Sequence, residues 1–144
     1  MKIIQIVGRS NSGKTTFIRN LVPVLTKNGR VAVIKHLGDH DYQLEPGKDT
    51  THFYDAGAEI SVGVDSHKSV IAIRNNTLER MLDLLLNQGM DYVVIEGFKQ
   101  KPFPKIVIGS LKIEHCVLEN PDIEEVISSL HLFSEYVESS PVGE

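Results

Sequence analysis

Eight residues near the start of the chain, Gly8-Arg9-Ser10-Asn11-Ser12-Gly13-Lys14-Thr15, have the spacing G-x-x-x-x-G-K-[ST]. In that spacing successive backbone N–H groups curl around the phosphates of a nucleotide. A Cβ at Gly8 or Gly13 would obstruct the turn or the close approach of the ligand. Lys14 would set its ammonium on the β and γ phosphates, and the Thr15 hydroxyl would go to Mg2+. The candidate phosphate-binding residues therefore run from Gly8 through Arg9, Ser10, Asn11, Ser12, Gly13, Lys14 and Thr15 to Thr16. An ordinary glycine-rich turn between a strand and a helix is the alternative for this stretch.

A second candidate lies far along the chain. Tyr92-Val93-Val94-Ile95-Glu96-Gly97 reads as an apolar strand ending in a carboxylate. Beside a loop of the first kind, a second strand commonly delivers an acid to the Mg2+, directly or through its water. That acid would be Glu96, making Lys14 and Glu96 the catalytic candidates and Thr15 and Glu96 the metal candidates. Taken alone, a glutamate at a strand end usually faces solvent. Asp91 precedes the strand and falls at its other end.

These residues need elements to position them. Lys2 to Val7 is a dense apolar run suited to a parallel strand covered on both faces. A helix opens at Lys14, adding its positive dipole end to the loop. Its stripe of Phe17, Leu21, Val24 and Leu25 extends to Lys27, Pro23 kinks or shortens it, and Asn28-Gly29 ends it with a left-handed glycine. Val31 to Lys35 is a second strand, which predicts a right-handed parallel crossover and an α/β architecture. Lys35 and His36 then fall on the same sheet edge as the loop, where open α/β sheets bind ligands.

Leu37 to Lys48 reads as a long polar loop. His36, Asp39, His40 and Asp41 within and beside it suggest either a metal cluster or a solvated acidic loop. Asp49 is the expected cap of a short helix through Ala56, closed by Gly57. Ala58 to Val64 and Val70 to Ile73 form a hairpin or two neighbouring strands. Thr77 to Gln88 is an amphipathic helix capped by Thr77 and stopped by Gly89.

Phe98 to Lys105 is basic and interrupted by proline, and Lys99 or Lys101 could face a nucleotide or another anion. Ile106 to Ile108 and His115 to Leu118 are late strands. Pro121 to Leu132 is a final helix with Asn120 as its cap. Ser134 to Glu144 reads as frayed. This places a P-loop nucleotide-binding domain at 1–133 and a tail at 134–144, in an α/β fold of the three-layer P-loop NTPase type: a mostly parallel sheet, flanking helices and an extra hairpin.

At 144 residues the chain can bury a core without metal or disulfide support. A formal charge of −4 gives no general pull toward nucleic acid or an anionic membrane. The single cysteine, Cys116, cannot form an internal disulfide, and its apolar neighbours suit a buried inert thiol. An N-terminus that starts directly on a core strand, with no apolar run of membrane-spanning length, predicts a cytoplasmic protein.

Together these stretches resemble the molybdopterin-guanine dinucleotide biosynthesis protein B family. The likeness is carried by GRSNSGKTT at Gly8 to Thr16, IKH at Ile34 to His36, PGKDT at Pro46 to Thr50, DAGA at Asp55 to Ala58, VVIEGFK at Val93 to Lys99, and PKIV at Pro104 to Val107. It implies a homodimer that binds GTP with Mg2+, hydrolyses it slowly, and serves as an adaptor beside the guanylyltransferase that attaches GMP to molybdopterin, so that molybdopterin is met only indirectly. It also places Asp49 and Thr50 near the nucleotide in a switch-like loop, and Gly97 where a γ-phosphate would be sensed. The usual guanine-reading Asn-Lys-x-Asp sequence does not occur, so guanine preference follows from the resemblance alone. Arg9 is a candidate for acting across a dimer. The competing function is an ATP-dependent small-molecule kinase, for which Lys99 and Lys101 would supply the lid.

Overall fold

A computed structural model describes residues 1–74 and 77–138. Its elements in chain order are β1 (Lys2–Val7), α1 (Lys14–Leu25), β2 (Val31–Lys35), α2 (Asp49–Asp55), β3 (Ile60–Val64), β4 (Ser69–Ile73), α3 (Leu78–Asn87), β5 (Tyr92–Glu96), β6 (Lys105–Val107), β7 (Cys116–Glu119) and α4 (Ile123–Ser128), followed by a 3-10 turn at Leu130–Leu132. The chain divides into two units, Met1–His36 with the stretch from Leu82 onward, and Leu37–Met81.

The first unit holds a five-stranded sheet in the order β2-β5-β1-β6-β7, with every neighbouring pair parallel. Strands buried on both faces must be apolar throughout, and β1 and β5 are: Ile3, Ile4, Ile6, Val7, Val93, Val94 and Ile95 are all sealed from solvent. Ile18, Leu21 and Leu25 of α1 and Val126 of α4 pack with Ile4, Ile6, Val94 and Ile106 in one cluster. Burying each such side chain contributes about 1.5–3 kcal/mol. The edge strand β2 is half covered, and Val33 is 48% exposed.

Several helix ends differ from the sequence reading. α1 stops at Leu25, two residues beyond Pro23, whose missing N–H removes a helical hydrogen bond. Thr26 and Lys27 then donate to the carbonyls of Val22 and Val24. Gly29 is not a left-handed stop, because its φ is not positive. Glycine is required there for space: a Cβ would lie 2.8 Å from Asp91, whose carboxylate accepts the Arg30 N–H at 2.7 Å. The cap of α4 is Asp122, which accepts the Glu125 N–H at 2.7 Å, and not Asn120. Asn120 instead clamps the turn after β6, accepting the Gly109 N–H at 2.7 Å and donating to the Gly109 carbonyl at 2.9 Å. Gly89 does stop α3 with φ +77.

The start of the predicted tail is ordered against the sheet. Since β6 pairs only with Gln5–Val7, the same side of β1 is vacant near its start. Residues 134–136 fill it: Ile3 donates to the Ser134 carbonyl, Tyr136 donates to the Met1 carbonyl, and Tyr136 Oη bonds Asp83 at 2.7 Å. The rest of that tail, 139–144, lies outside the described residues.

The second unit is built on α2 and an antiparallel hairpin of β3 and β4. Asp49 is the first residue of α2, with Lys48 in the cap position, and Gly57 closes the helix at φ +110 as expected. The hairpin's small residues face α2: Ser61 is buried and donates to the Thr50 carbonyl at 2.7 Å, with Gly63 against the Thr50 methyl. Ile60, Val62, Val64 and Ile71 lie on the opposite face and are exposed, and Val70, the partner of Gly63, is exposed as well.

Candidate functional site

The carboxyl edge of the sheet gathers most of the residues singled out in the sequence. The register sets Lys35 opposite Glu96, and Glu96 opposite Ile6, so a single row crosses β2, β5 and β1. The row is extended by the His36 N–H donating to the Glu96 carbonyl and the Gly97 N–H to the Ile6 carbonyl. Gly8 follows β1 one residue further on, opening the loop.

The loop is held by packing below and by conformation above. Gly8 is buried against the backbone after β6, where a Cβ would stand 2.4 Å from the Ile108 carbonyl oxygen and 2.6 Å from Ser12 Oγ. Its glycine is therefore fixed by the fold before any ligand is considered. Gly13 has open space around it, and glycine is needed for its φ of +97. Asn11 also takes a positive φ of 60. Ser12 Oγ is buried with no hydrogen-bond partner among the described residues.

α1 opens at Lys14 with Gly13 as its cap, no capping side chain and no acid in the first turn. The first N–H groups of a helix have no partner within it, so this end presents donors and a positive dipole. Lys14 folds over the loop, donating to the carbonyls of Arg9 at 2.7 Å and Gly8 at 3.1 Å. Burial holds its ammonium below the usual lysine range; Glu96 partly offsets this, while Lys99 and Lys35 push it further down. Arg9, Ser10, Thr15 and Thr16 are exposed. A set made almost wholly of donors around a bare helix end suits a polyphosphate.

Glu96 is nearly buried, and its carboxylate lies 3.7 Å from Lys35 Nζ. Gly97 has φ +96, and a Cβ there would lie 2.9 Å from His36 Cβ, so both shape and conformation require glycine. His36 stacks on Phe98 with ring centroids 4.2 Å apart. The Thr15 hydroxyl and the Glu96 carboxylate are the hard oxygen donors that Mg2+ prefers.

Lys14, Thr15, Lys35, Glu96 and Gly97 thus belong to one unit and one sheet edge. Asp49 and Thr50 belong to the second unit, where Thr50 supports the hairpin through its carbonyl. Asp39, His40 and Asp41 are exposed in that unit too. Cys116 is half-buried, and its thiol is pushed up chiefly by burial and next by Glu119.

Two supporting residues escaped the sequence reading. Gln5 is wholly buried in β1 and donates at 2.7 Å to the carbonyls of both Gly97 and Phe98, which fixes the chain just after Glu96. A lone glutamine inside KIIQIV was the available signal. Lys105 is buried at the start of β6, a position hydropathy alone assigns to solvent.

Comparison with known proteins places the chain among relatives. Residues 3–129 match the family described as molybdopterin guanine dinucleotide synthesis protein B. A Bacillus subtilis protein named as a probable molybdopterin-guanine dinucleotide biosynthesis adapter protein is 36% identical over 129 residues, covering 87% of this chain and 75% of its own. The Haemophilus influenzae molybdopterin-guanine dinucleotide biosynthesis adapter protein is 31% identical over 133 residues, covering 87% and 71%. The crystal structure of Bacillus subtilis MobB superposes with a TM-score of 0.72 at 27% identity, over 94% of this chain and 100% of that one. The α/β fold and the sequence together establish that the chain belongs to the molybdopterin guanine dinucleotide synthesis protein B family.

Proposed function

We propose that this chain is a GTP-binding adaptor of molybdopterin guanine dinucleotide synthesis, with a slow Mg2+-dependent GTPase activity, which assists the guanylyltransferase that attaches GMP. The observation that carries the nucleotide reading is the bare start of α1, capped by Gly13 and overlain by Lys14. Gly8 to Thr16 hold the phosphates, and Lys14 neutralises charge on the β and γ groups. Thr15 and Glu96 would hold Mg2+, which would supply neutralisation of the charge on the phosphates.

Slow turnover fits the residues. Phosphoryl transfer depends mainly on positioning and charge neutralisation, which Lys14 and the loop supply. Fast turnover would need a further group to orient the attacking water or neutralise charge, and Arg9 is the candidate for supplying one across a dimer. Lys35 holds the Glu96 carboxylate in place, and Gly97 lies next to it for sensing the γ-phosphate. Asp49 and Thr50 would act as a switch segment. The homodimer draws support from the hairpin, whose exposed Ile60, Val62, Val64 and Ile71 are a face that a second copy would cover.

The test is calorimetric titration of GTP and ATP with Mg2+, followed by capture of the guanylyltransferase on the immobilised chain. GTP binding tighter than ATP, and retention of the transferase, are the expected results. Equal affinity for both nucleotides would remove the guanine preference, and absence of any nucleotide binding would remove the reading.

A further inference from the structure

Beyond the phosphate loop, the first unit contains a second cationic recess. A cavity of about 570 Å³ is lined by Lys99, Gln100, Lys101, Lys105, Glu114 and His115, with Ile113 as its apolar wall. Three lysines and one glutamate meet there in a chain whose net charge is −4. The recess is open to solvent, so a ligand larger than a lone inorganic ion can enter it.

The floor is unusual. Lys105 is only 1% exposed, and its ammonium donates to the carbonyls of Lys101 and of Phe103, the latter at 2.9 Å. An ammonium has three N–H donors, so one remains, and among the described residues no carboxylate pairs with Lys105. A buried cation without a counter-charge is costly, and burial holds its pKa below the lysine range. An anion entering above it would relieve that cost.

The walls are preset. His115 of the lining, and Phe98 just before the lining Lys99, lie in the left-handed region at φ 63 and 54, where residues other than glycine are uncommon. Pro102 and Pro104 restrict the intervening loop, and the two Gln5 bonds anchor where it begins. Lys99 lines the cavity, and only its longer-range charge reaches Lys14.

We propose that this cavity is a second ligand site, distinct from the phosphate loop, for a phosphate monoester carried on a small organic body. Lys99, Lys101 and Lys105 face the phosphate, Gln100 and His115 supply further hydrogen bonds, and Ile113 packs on the organic part. Glu114 opposes the anion and so disfavours more highly charged ligands. Binding here does not require nucleotide at the loop, since none of the recognition residues lies between Gly8 and Thr16.

The test uses the full 15N-labelled chain with phenyl phosphate at about pH 7.5, where the monoester is largely dianionic because its second pKa is about 6. Titrations are run on the wild type and on Lys14→Ala. Saturable amide shifts at Gln100, Ile113, Glu114 and His115 in both proteins are expected, and none with benzyl alcohol. Lys99→Gln, an exposed change that leaves the core alone, should weaken binding about five- to tenfold through loss of one charge-assisted contact. Glu114→Gln should strengthen it about threefold by removing a like charge. Shifts confined to Gly8 to Thr16 that vanish in Lys14→Ala would overturn the proposal, assigning Lys105 only to bracing its own loop. Absence of shifts anywhere at millimolar probe would overturn it equally, whatever GTP does.

Discussion

Replacing Lys14 with alanine separates a ligand-binding role from a structural one. In the free protein the ammonium bonds two loop carbonyls, at 2.7 and 3.1 Å, and the Arg9 end of that pair is exposed. Water can replace those bonds, so the loss of stability should be about 1 kcal/mol, or roughly 3–5 °C in Tm for a chain of this size. The effect on a triphosphate is much larger. A unit charge about 4 Å from a phosphate oxygen, at the effective dielectric of about 20 that suits a partly buried pair, contributes about 4 kcal/mol. That corresponds to roughly a thousandfold in Kd, some of which Lys35 and Lys99 would recover through their longer-range field. Calorimetry with GTP and Mg2+ measures the affinity, and melting with and without nucleotide measures the rest. Wild type should gain about 2.7 kcal/mol of stability at a hundredfold excess over Kd, and Lys14→Ala almost none. There is also a pH signature. Anion binding favours the protonated amine, and burial has lowered its pKa, so affinity should begin to fall at a pH below the ordinary lysine value of 10.5. A variant that binds GTP within threefold of wild type, or that fails to fold, would refute the assignment.

Three further outcomes follow from other parts of the molecule. Glu96→Gln should leave nucleotide affinity without metal nearly unchanged and abolish its enhancement by Mg2+; an equal Mg2+ response in both proteins, read by calorimetry, would exclude Glu96 from the metal site. Gly8→Ala forces a Cβ to 2.4 Å from the Ile108 carbonyl and should cost about 2–3 kcal/mol, whereas Gly13→Ala meets nothing within 4 Å and should cost only the roughly 1–2 kcal/mol of a left-handed alanine. Chemical denaturation gives both values, and equal costs would show that Gly8 is not held by packing. If the proposed dimer uses the hairpin, Val62→Lys with Ile71→Lys should sediment as a monomer whose melt no longer depends on protein concentration, and a dimer that persists would place the interface elsewhere.

The features legible in the sequence are those set within a few residues of one another. Gly8 to Thr15 announces its loop because the chemistry requires fixed neighbours at fixed spacing. The apolar runs at Lys2 to Val7 and Tyr92 to Glu96 reveal strands because burial on both faces leaves no alternation. Gly57 and Gly89 mark helix ends by their conformation alone. Where two signals compete locally, the pattern misleads: Asn120 looks like a cap, yet Asp122 captures the free N–H and Asn120 is drawn to Gly109.

Tertiary structure alone decided the rest. The sequence offered no way to know that β5 lies between β2 and β1, since every apolar strand reads the same; that lateral order is what sets Lys35, Glu96 and Ile6 in one row. Gly29 and Gly8 need glycine because of Asp91 and Ile108, residues about 60 and 100 positions away. Hydropathy assigned Lys105 to solvent, whereas the crossover loop folds over it and satisfies two of its donors with carbonyls. The hairpin shows the same division: alternation established two faces, but only packing on α2 determined that Ser61 would be covered and Val62 exposed. Local sequence fixes backbone conformation through short-range sterics and hydrogen bonding, whereas the lateral placement of finished elements depends on contacts between distant residues, which no window of neighbours contains.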